Sequence, residues 1–107
     1  MIYYGRIGVQ SNVELENHYP LQVKIITPEK TIFEDKVDHV VMPTSDGEIG
    51  IYANHAPLIT RVKEGTIRIH LLNSQLLNLC FDFGLARVKD NFLIILIHGH
   101  AKLTENN

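Results

Sequence analysis

A single cysteine, Cys80, among 107 residues excludes an internal disulfide and fits a reducing compartment. Tryptophan is absent and the four phenylalanines fall mostly on apolar positions, which argues against the exposed aromatic platforms of a carbohydrate binder. No apolar run approaches the ~20 residues needed to span a bilayer as a helix. The longest, Phe92 to Ile97, has the length of a strand. The formal net charge is -2, and the lysines and arginines are scattered, so there is no stripe that could track phosphates and nucleic acid is not expected as a partner. The N-terminus, MIYYGRIGVQ, lacks a basic segment followed by a long apolar stretch, so any targeting piece is expected to be either absent or already removed.

Catalytic signatures are missing as well. No GxSxG elbow surrounds Ser45 or Ser74, no GxxxxGK phosphate loop occurs, and Cys80 has no local base. Asp46, Glu48 and His55 offer carboxylates and an imidazole, but acid/base chemistry needs them within hydrogen-bond reach, which spacing does not establish. Six histidines raise the question of a metal. His98-Gly99-His100 would put two imidazoles on one side of an extended segment, yet a structural zinc takes four ligands and no further ligand is marked nearby. His18, His39 and His70 lie in unrelated segments and read as surface or half-buried polar residues. No metal, cofactor or catalytic residue is therefore expected.

What is present is strand and turn chemistry. At 107 residues the chain has room for one core. No 3.6-residue apolar period is sustained over three turns, whereas period-two alternation recurs. Leu21, Val23 and Ile25 alternate with Gln22 and Lys24. Ile67, Ile69 and Leu71 alternate with Thr66, Arg68 and His70; Leu77, Leu79, Phe81 and Phe83 alternate with Asn78, Cys80 and Asp82. Turns are marked by Thr27-Pro28-Glu29-Lys30, Asp46-Gly47, Lys63-Glu64-Gly65, Asn73-Ser74 and Lys89-Asp90-Asn91. Thr31 to Met42 is expected to return with an irregularity near Glu34-Asp35. The pattern predicts an all-β antiparallel fold. Phe92 to Ile97 is apolar on both faces, which requires either a central strand covered on both sides or an outer face that meets another protein. Residues 1–20 read as an arm or linker, residues 21–101 as the folded domain, and residues 102–107 as a short tail.

The stretch "SDGEIGIYANHAPLITRVKEGTIRI", Ser45 to Ile69, closely resembles the N-terminal domain of the epsilon subunit of F-type ATP synthases, called delta in mitochondria. The likeness runs upstream through "LQVKIITPEKTIFEDKVDHVVMP" and downstream through "FGLARVKDNFLIIL", covering Leu21 to Ala101. It implies a flattened antiparallel β-sandwich of two five-stranded sheets with no catalytic residues. The function it implies is that of a central-stalk rotor subunit, peripheral on an energy-transducing membrane, which clamps the gamma subunit to the c-ring so that torque reaches the alpha-beta head. On this reading Gly47, Gly50 and Pro57 shape a rigid loop that presents Glu48 and His55, with Asp46 and Asn54 beside them, to the polar loops of the c-ring. Leu58, Leu93 and Ile95 are expected to face gamma. Many members of the family continue into a C-terminal pair of helices, which this sequence is expected to lack. The rival expectation is a free-standing β-sandwich module that binds a peptide or small ligand.

Overall fold

The computed structural model describes residues 19–106, and every regular element among them is a strand. The strands are β1 (Leu21–Ile26), β2 (Thr31–Val37), β3 (His39–Thr44), β4 (Gly47–Tyr52), β5 (Leu58–Val62), β6 (Gly65–His70), β7 (Leu76–Lys89) and β8 (Phe92–Asn106). The arm expected over residues 1–20 lies outside the described residues up to position 18.

The turns form where short polar side chains replace missing backbone partners. Thr27 Oγ1 accepts the N–H groups of Glu29 and Lys30 at 3.3 and 3.2 Å, which closes the β1–β2 connection. The β7–β8 hairpin turns on Asp90 and Asn91, with φ of 54° and 63°, the left-handed geometry that Asp and Asn tolerate best among residues with a side chain. Thr44 Oγ1 donates to the Gly47 carbonyl at 2.7 Å and accepts the Asp46 N–H at 3.2 Å, fixing the β3–β4 turn. No irregularity falls at Glu34-Asp35, which pair regularly with β1; the register shifts instead at Ile32, between the pairs Ile25↔Phe33 and Ile26↔Thr31, and the chain breaks at Asp38, where it leaves β2 and enters β3. Here the Asp38 N–H donates to the His70 carbonyl.

Two long strands explain how one hydrogen-bonded network makes a sandwich. The first halves of β7 and the end of β8 pair with each other and continue through β6, β3 and β4. The second half of β7 and the start of β8 pair with each other and with β5, β1 and β2. Five strands thus stand in each of two layers, which share β7 and β8. The buried side chains come from both layers and form a single cluster, including Leu21, Val23, Ile25, Leu93, Ile95 and Ile97 from one and Met42, Ile51, Ile67, Ile69, Leu79 and Phe81 from the other. The alternation read in β1 and β6 is the inward-facing half of this core.

The structure departs from the expected pattern at three places. The β1–β8 ladder is parallel, although all others are antiparallel. The first and last strands among the described residues meet there, so no short turn forces opposite directions. Residues 102–106, expected as a tail, continue β8 and pair with β7 as far as Leu76↔Asn106. Phe83 does not continue the buried row of Leu79 and Phe81, because the register shifts between Phe81 and Phe83. Before the shift β7 buries odd positions; after it Gly84, Ala86 and Val88 are buried. The extra residue lies in β8, where Gly99 has φ of 90° and the Asp82 carboxylate accepts the His100 N–H at 2.9 Å.

Candidate interaction surfaces

The parity of β8 decides which side chains a partner could reach. Leu93 and Ile95 are 0% exposed, sealed in the chain's own core, and so are corrected as contact residues for gamma. Leu58 is half-buried, opposite Val88, and packs against the same core. A strand has two faces, and the segment Phe92 to Ile97 was apolar on both; Ile94 and Leu96 are the residues that turn outward.

Around them the outer face of the β1–β5 layer carries an exposed apolar patch. Leu96 (41% exposed) lies opposite Leu85 (48%), with Ile59 (66%) and Phe83 (54%) beside them. Phe83 stacks on His98, with ring centroids 5.0 Å apart. These two rings, with Leu85, Leu96, Arg61 and Lys63, line an open groove of about 580 Å³. The sequence held the signal for this face. Once Leu93, Ile95 and Ile97 are inside, the residues between them must be outside, but nothing in the sequence says which set is which. The bulge that exposes Phe83 is not visible in the sequence.

The residues expected to meet the c-ring distribute along β4, the edge strand of the other layer. Asp46 is in the turn before β4. Glu48 is within the strand, not at a loop tip, and is held by Arg68, which donates from Nη1 and Nη2 to the two carboxylate oxygens at 2.9 and 3.0 Å. Arg68 reaches across β3 from β6 to make this forked pair. The hydrogen bonds from Arg68 hold the Glu48 carboxyl below the usual carboxylate range. The pair is exposed, and a Glu48→Gln change is expected to leave folding intact.

Asn54 and His55 lie past the far end of β4. Asn54 has φ of 63°, and its N–H donates to Asn91 Oδ1 at 2.8 Å. Asn91 Nδ2 in turn donates to the Pro20 carbonyl at 2.9 Å, so one side chain ties together the entry to β1, the β4–β5 loop and the β7–β8 turn. His55 is half-buried, with Nδ1 2.7 Å from the Ala56 carbonyl oxygen. Gly50, expected in a turn, lies inside β4 with the Tyr52 ring over it, 3.2 Å from where a Cβ would stand. Asp46 and Glu48 are therefore at one end of an exposed edge and Asn54 and His55 at the other, about 15 to 20 Å apart for a strand of this length.

Among the described residues the histidines lie apart, save the cross-strand pair His39 and His70. His98 lines the groove beside Phe83, whereas His100 lines a separate recess with Asp82 and Cys80 beyond the Gly99 bulge. The two imidazoles expected on one side are parted by that bulge. Among the described residues no group of three or more His, Cys, Asp or Glu side chains is arranged to hold a metal ion. Cys80 is exposed and has Thr66 Oγ1 3.8 Å from its sulfur.

His39 and His70, from unrelated segments of sequence, are cross-strand neighbours. Their rings stack at 4.1 Å, and Tyr52 stacks on the other side of His39 at 4.4 Å. Asp38 Oδ2 lies 2.6 Å from His39 Nδ1. Burial first, then the nearby His39 and Arg68, lower the pKa of His70, with only Asp38 acting in the other direction. A native imidazole that resists protonation binds fewer protons than the unfolded chain once the pH falls below its ordinary value near 6.5. Stability should therefore fall as the pH drops through that value and level off when His70 itself protonates. Thermal unfolding followed from about pH 7 to about pH 5.5 should show a steeper fall for the wild-type chain than for His70→Gln. Equal slopes would remove this role from His70.

The comparisons agree with this architecture. Residues 20–101 match the family model described as ATP synthase, Delta/Epsilon chain, beta-sandwich domain. The chain is 37% identical over 75 residues to the ATP synthase epsilon chain of Desulforamulus reducens, covering 70% of this chain and 56% of that one. It is 40% identical over 76 residues to the chloroplastic ATP synthase epsilon chain of Sorghum bicolor, covering 71% and 56%. The chain thus spans just over half the length of these curated relatives. Among solved structures, the fold is similar to a chain of the Euglena gracilis mitochondrial ATP synthase, with a TM-score of 0.72, 15% identity and coverage of 92% of this chain and 69% of that one. It is also similar to a chain in the central stalk and c-ring of the Tetrahymena thermophila mitochondrial ATP synthase, with a TM-score of 0.61, 16% identity and coverage of 78% and 64%.

Proposed function

Because this chain belongs to the ATP synthase delta/epsilon β-sandwich family, we propose that it is a non-catalytic rotor subunit that joins the gamma subunit to the c-ring. The observation that carries the surface assignment is the outward apolar patch of Ile59, Phe83, Leu85 and Leu96, gathered on one face of the sandwich. A face of this kind exposes apolar area that a partner can remove from water, at roughly 25 cal/mol per Å² before association costs are subtracted. Gamma is assigned to that face.

The c-ring is assigned to the β4 edge. Its polar loops would meet Asp46 and Glu48 at one end, with Asn54 and His55 available toward the other. Glu48 is preorganised by its fork with Arg68, and Asn54 by its bond to Asn91. A contact that carries torque needs groups already in place, since a loop that reorders under load dissipates part of the motion. The alpha-beta head would be reached only through gamma, and the chain would stand at the membrane surface through the ring. No cofactor enters this role.

Co-isolation tests the proposal. The tagged chain, drawn from mildly solubilised energy-transducing membranes, is expected to bring gamma and the c-ring with it in fixed ratio. Recovery alone, or with a small ligand or peptide in the groove and no gamma, would support the free-standing binding module instead.

A further inference from the structure

The apolar face of the β1–β5 layer is also a place where the chain gathers positive charge. Cross-strand rows can be read directly from the pairings. One runs Lys24, Ile94, Arg87, Ile59; the next runs Ile26, Leu96, Leu85, Arg61. Each row thus interleaves aliphatic side chains with cations. Lys63 joins Arg61 at the groove beyond the second row.

The neighbouring carboxylates are peripheral: Glu34 opposite Lys24 on the edge strand β2, and Glu64 at the rim of the groove. Among the described residues the ion pairs are Asp38 with His39 and Glu48 with Arg68, both on the other layer, so neither Arg61 nor Arg87 has a carboxylate partner there. A chain with a formal charge of -2 has therefore placed cations in and around its exposed apolar patch.

This arrangement constrains the partner. Arginine stems add apolar contact area, but covering their guanidinium groups without a counter-charge strips them of water at a cost the apolar contacts must overcome. A second copy of this chain presenting the same face would set cations against cations, which disfavours self-association. A purely apolar partner would leave the cations unpaired. We infer that the gamma surface seated on this face is amphipathic, with apolar side chains against Leu85 and Leu96 and Asp or Glu carboxylates paired with Arg61 and Arg87. This rests on the assignment of gamma to the face, and adds the chemistry that gamma must bring.

The test compares variants in the assembled enzyme at rising salt. The double variant Arg61→Gln/Arg87→Gln should retain about a tenth or less of the wild-type affinity for gamma at low salt and lose most of the salt dependence. Arg61→Glu/Arg87→Glu should bind still less, and Arg61→Lys/Arg87→Lys should keep most of the salt dependence. Both arginines are exposed, so melting of the free chain should change little; the lysine variant separates charge loss from any loss of stem packing. Undiminished gamma binding by the Gln and Glu variants at every salt concentration, while Leu96→Asp abolishes it, overturns the carboxylate pairing and leaves the docking face in place. If Leu96→Asp also binds gamma normally, the docking face itself is wrong. A dimer of this chain that disappears on Leu96→Asp would replace gamma by a second copy and overturn the inference as well.

Discussion

Gly84→Ala should lower the melting temperature of the chain by roughly 15 °C, equivalent to about 3 kcal/mol for a domain of this size. Gly84 lies opposite Ile97 where β7 and β8 pair in the β1–β5 layer. A Cβ added there would stand 2.7 Å from the Leu96 carbonyl oxygen and 3.1 Å from Ile97 Cδ1. The first of these contacts is with backbone in a ladder that pairs on both sides, so relief requires moving a central strand and not merely turning a rotamer. Gly50→Ala provides the contrast, because its added methyl meets only the ring of the exposed Tyr52, which can shift by a few tenths of an ångström against its stacking partner His39 without moving backbone. That variant should melt within a few degrees of wild type. Thermal unfolding of the two variants by circular dichroism checks both, and equal melting would show that the close approach at Gly84 is relieved without strain.

The second large effect separates two adjacent residues of β8. Ile95→Asp should prevent folding, since it places a carboxylate where the side chain is wholly buried among aliphatic neighbours. Leu96→Asp should fold, because Leu96 points out of the sandwich, but it should lose gamma by a factor of roughly 30 or more, as for an interface side chain worth at least 2 kcal/mol. The readouts are the far-ultraviolet spectrum of each purified variant and the gamma recovered with it. If Leu96→Asp unfolds like Ile95→Asp, the outer face is part of the core. If it folds and keeps gamma, the patch has another use.

These two residues also show how far the sequence could be read. Its turns were legible because the geometry demands particular residues, as at Thr27, Asp90 and Asn91. The inward rows of β1 and β6 were legible from alternation. The apolar doubling of Phe92 to Ile97 announces that the strand has two claims on it, but its parity is set by the neighbouring strands, which turn Leu93 and Ile95 inward and not toward a partner. The β7–β8 bulge was hidden because its cause, an Asp82 carboxylate accepting the His100 N–H, joins residues 18 positions apart. The same is true of the Glu48–Arg68 fork, with a separation of 20, and of the Asn54–Asn91 bond, with a separation of 37. The resemblance singles out Glu48, whereas Arg68, which orients it, reads in the sequence only as the polar half of an alternating strand.

The proposed role requires one small sandwich to touch two different neighbours, gamma through the β7–β8 face and the ring through the β4 edge. Cysteine crosslinking in the assembled enzyme tests it most directly, with Cys80→Ser as background so that the exposed native thiol does not compete. A cysteine at position 96 should crosslink to gamma, and one at position 48 should crosslink to cysteines in the polar loops of the c-ring. Crosslinks from position 96 to the ring or to the alpha-beta head, with position 48 reaching no ring loop, would contradict the account.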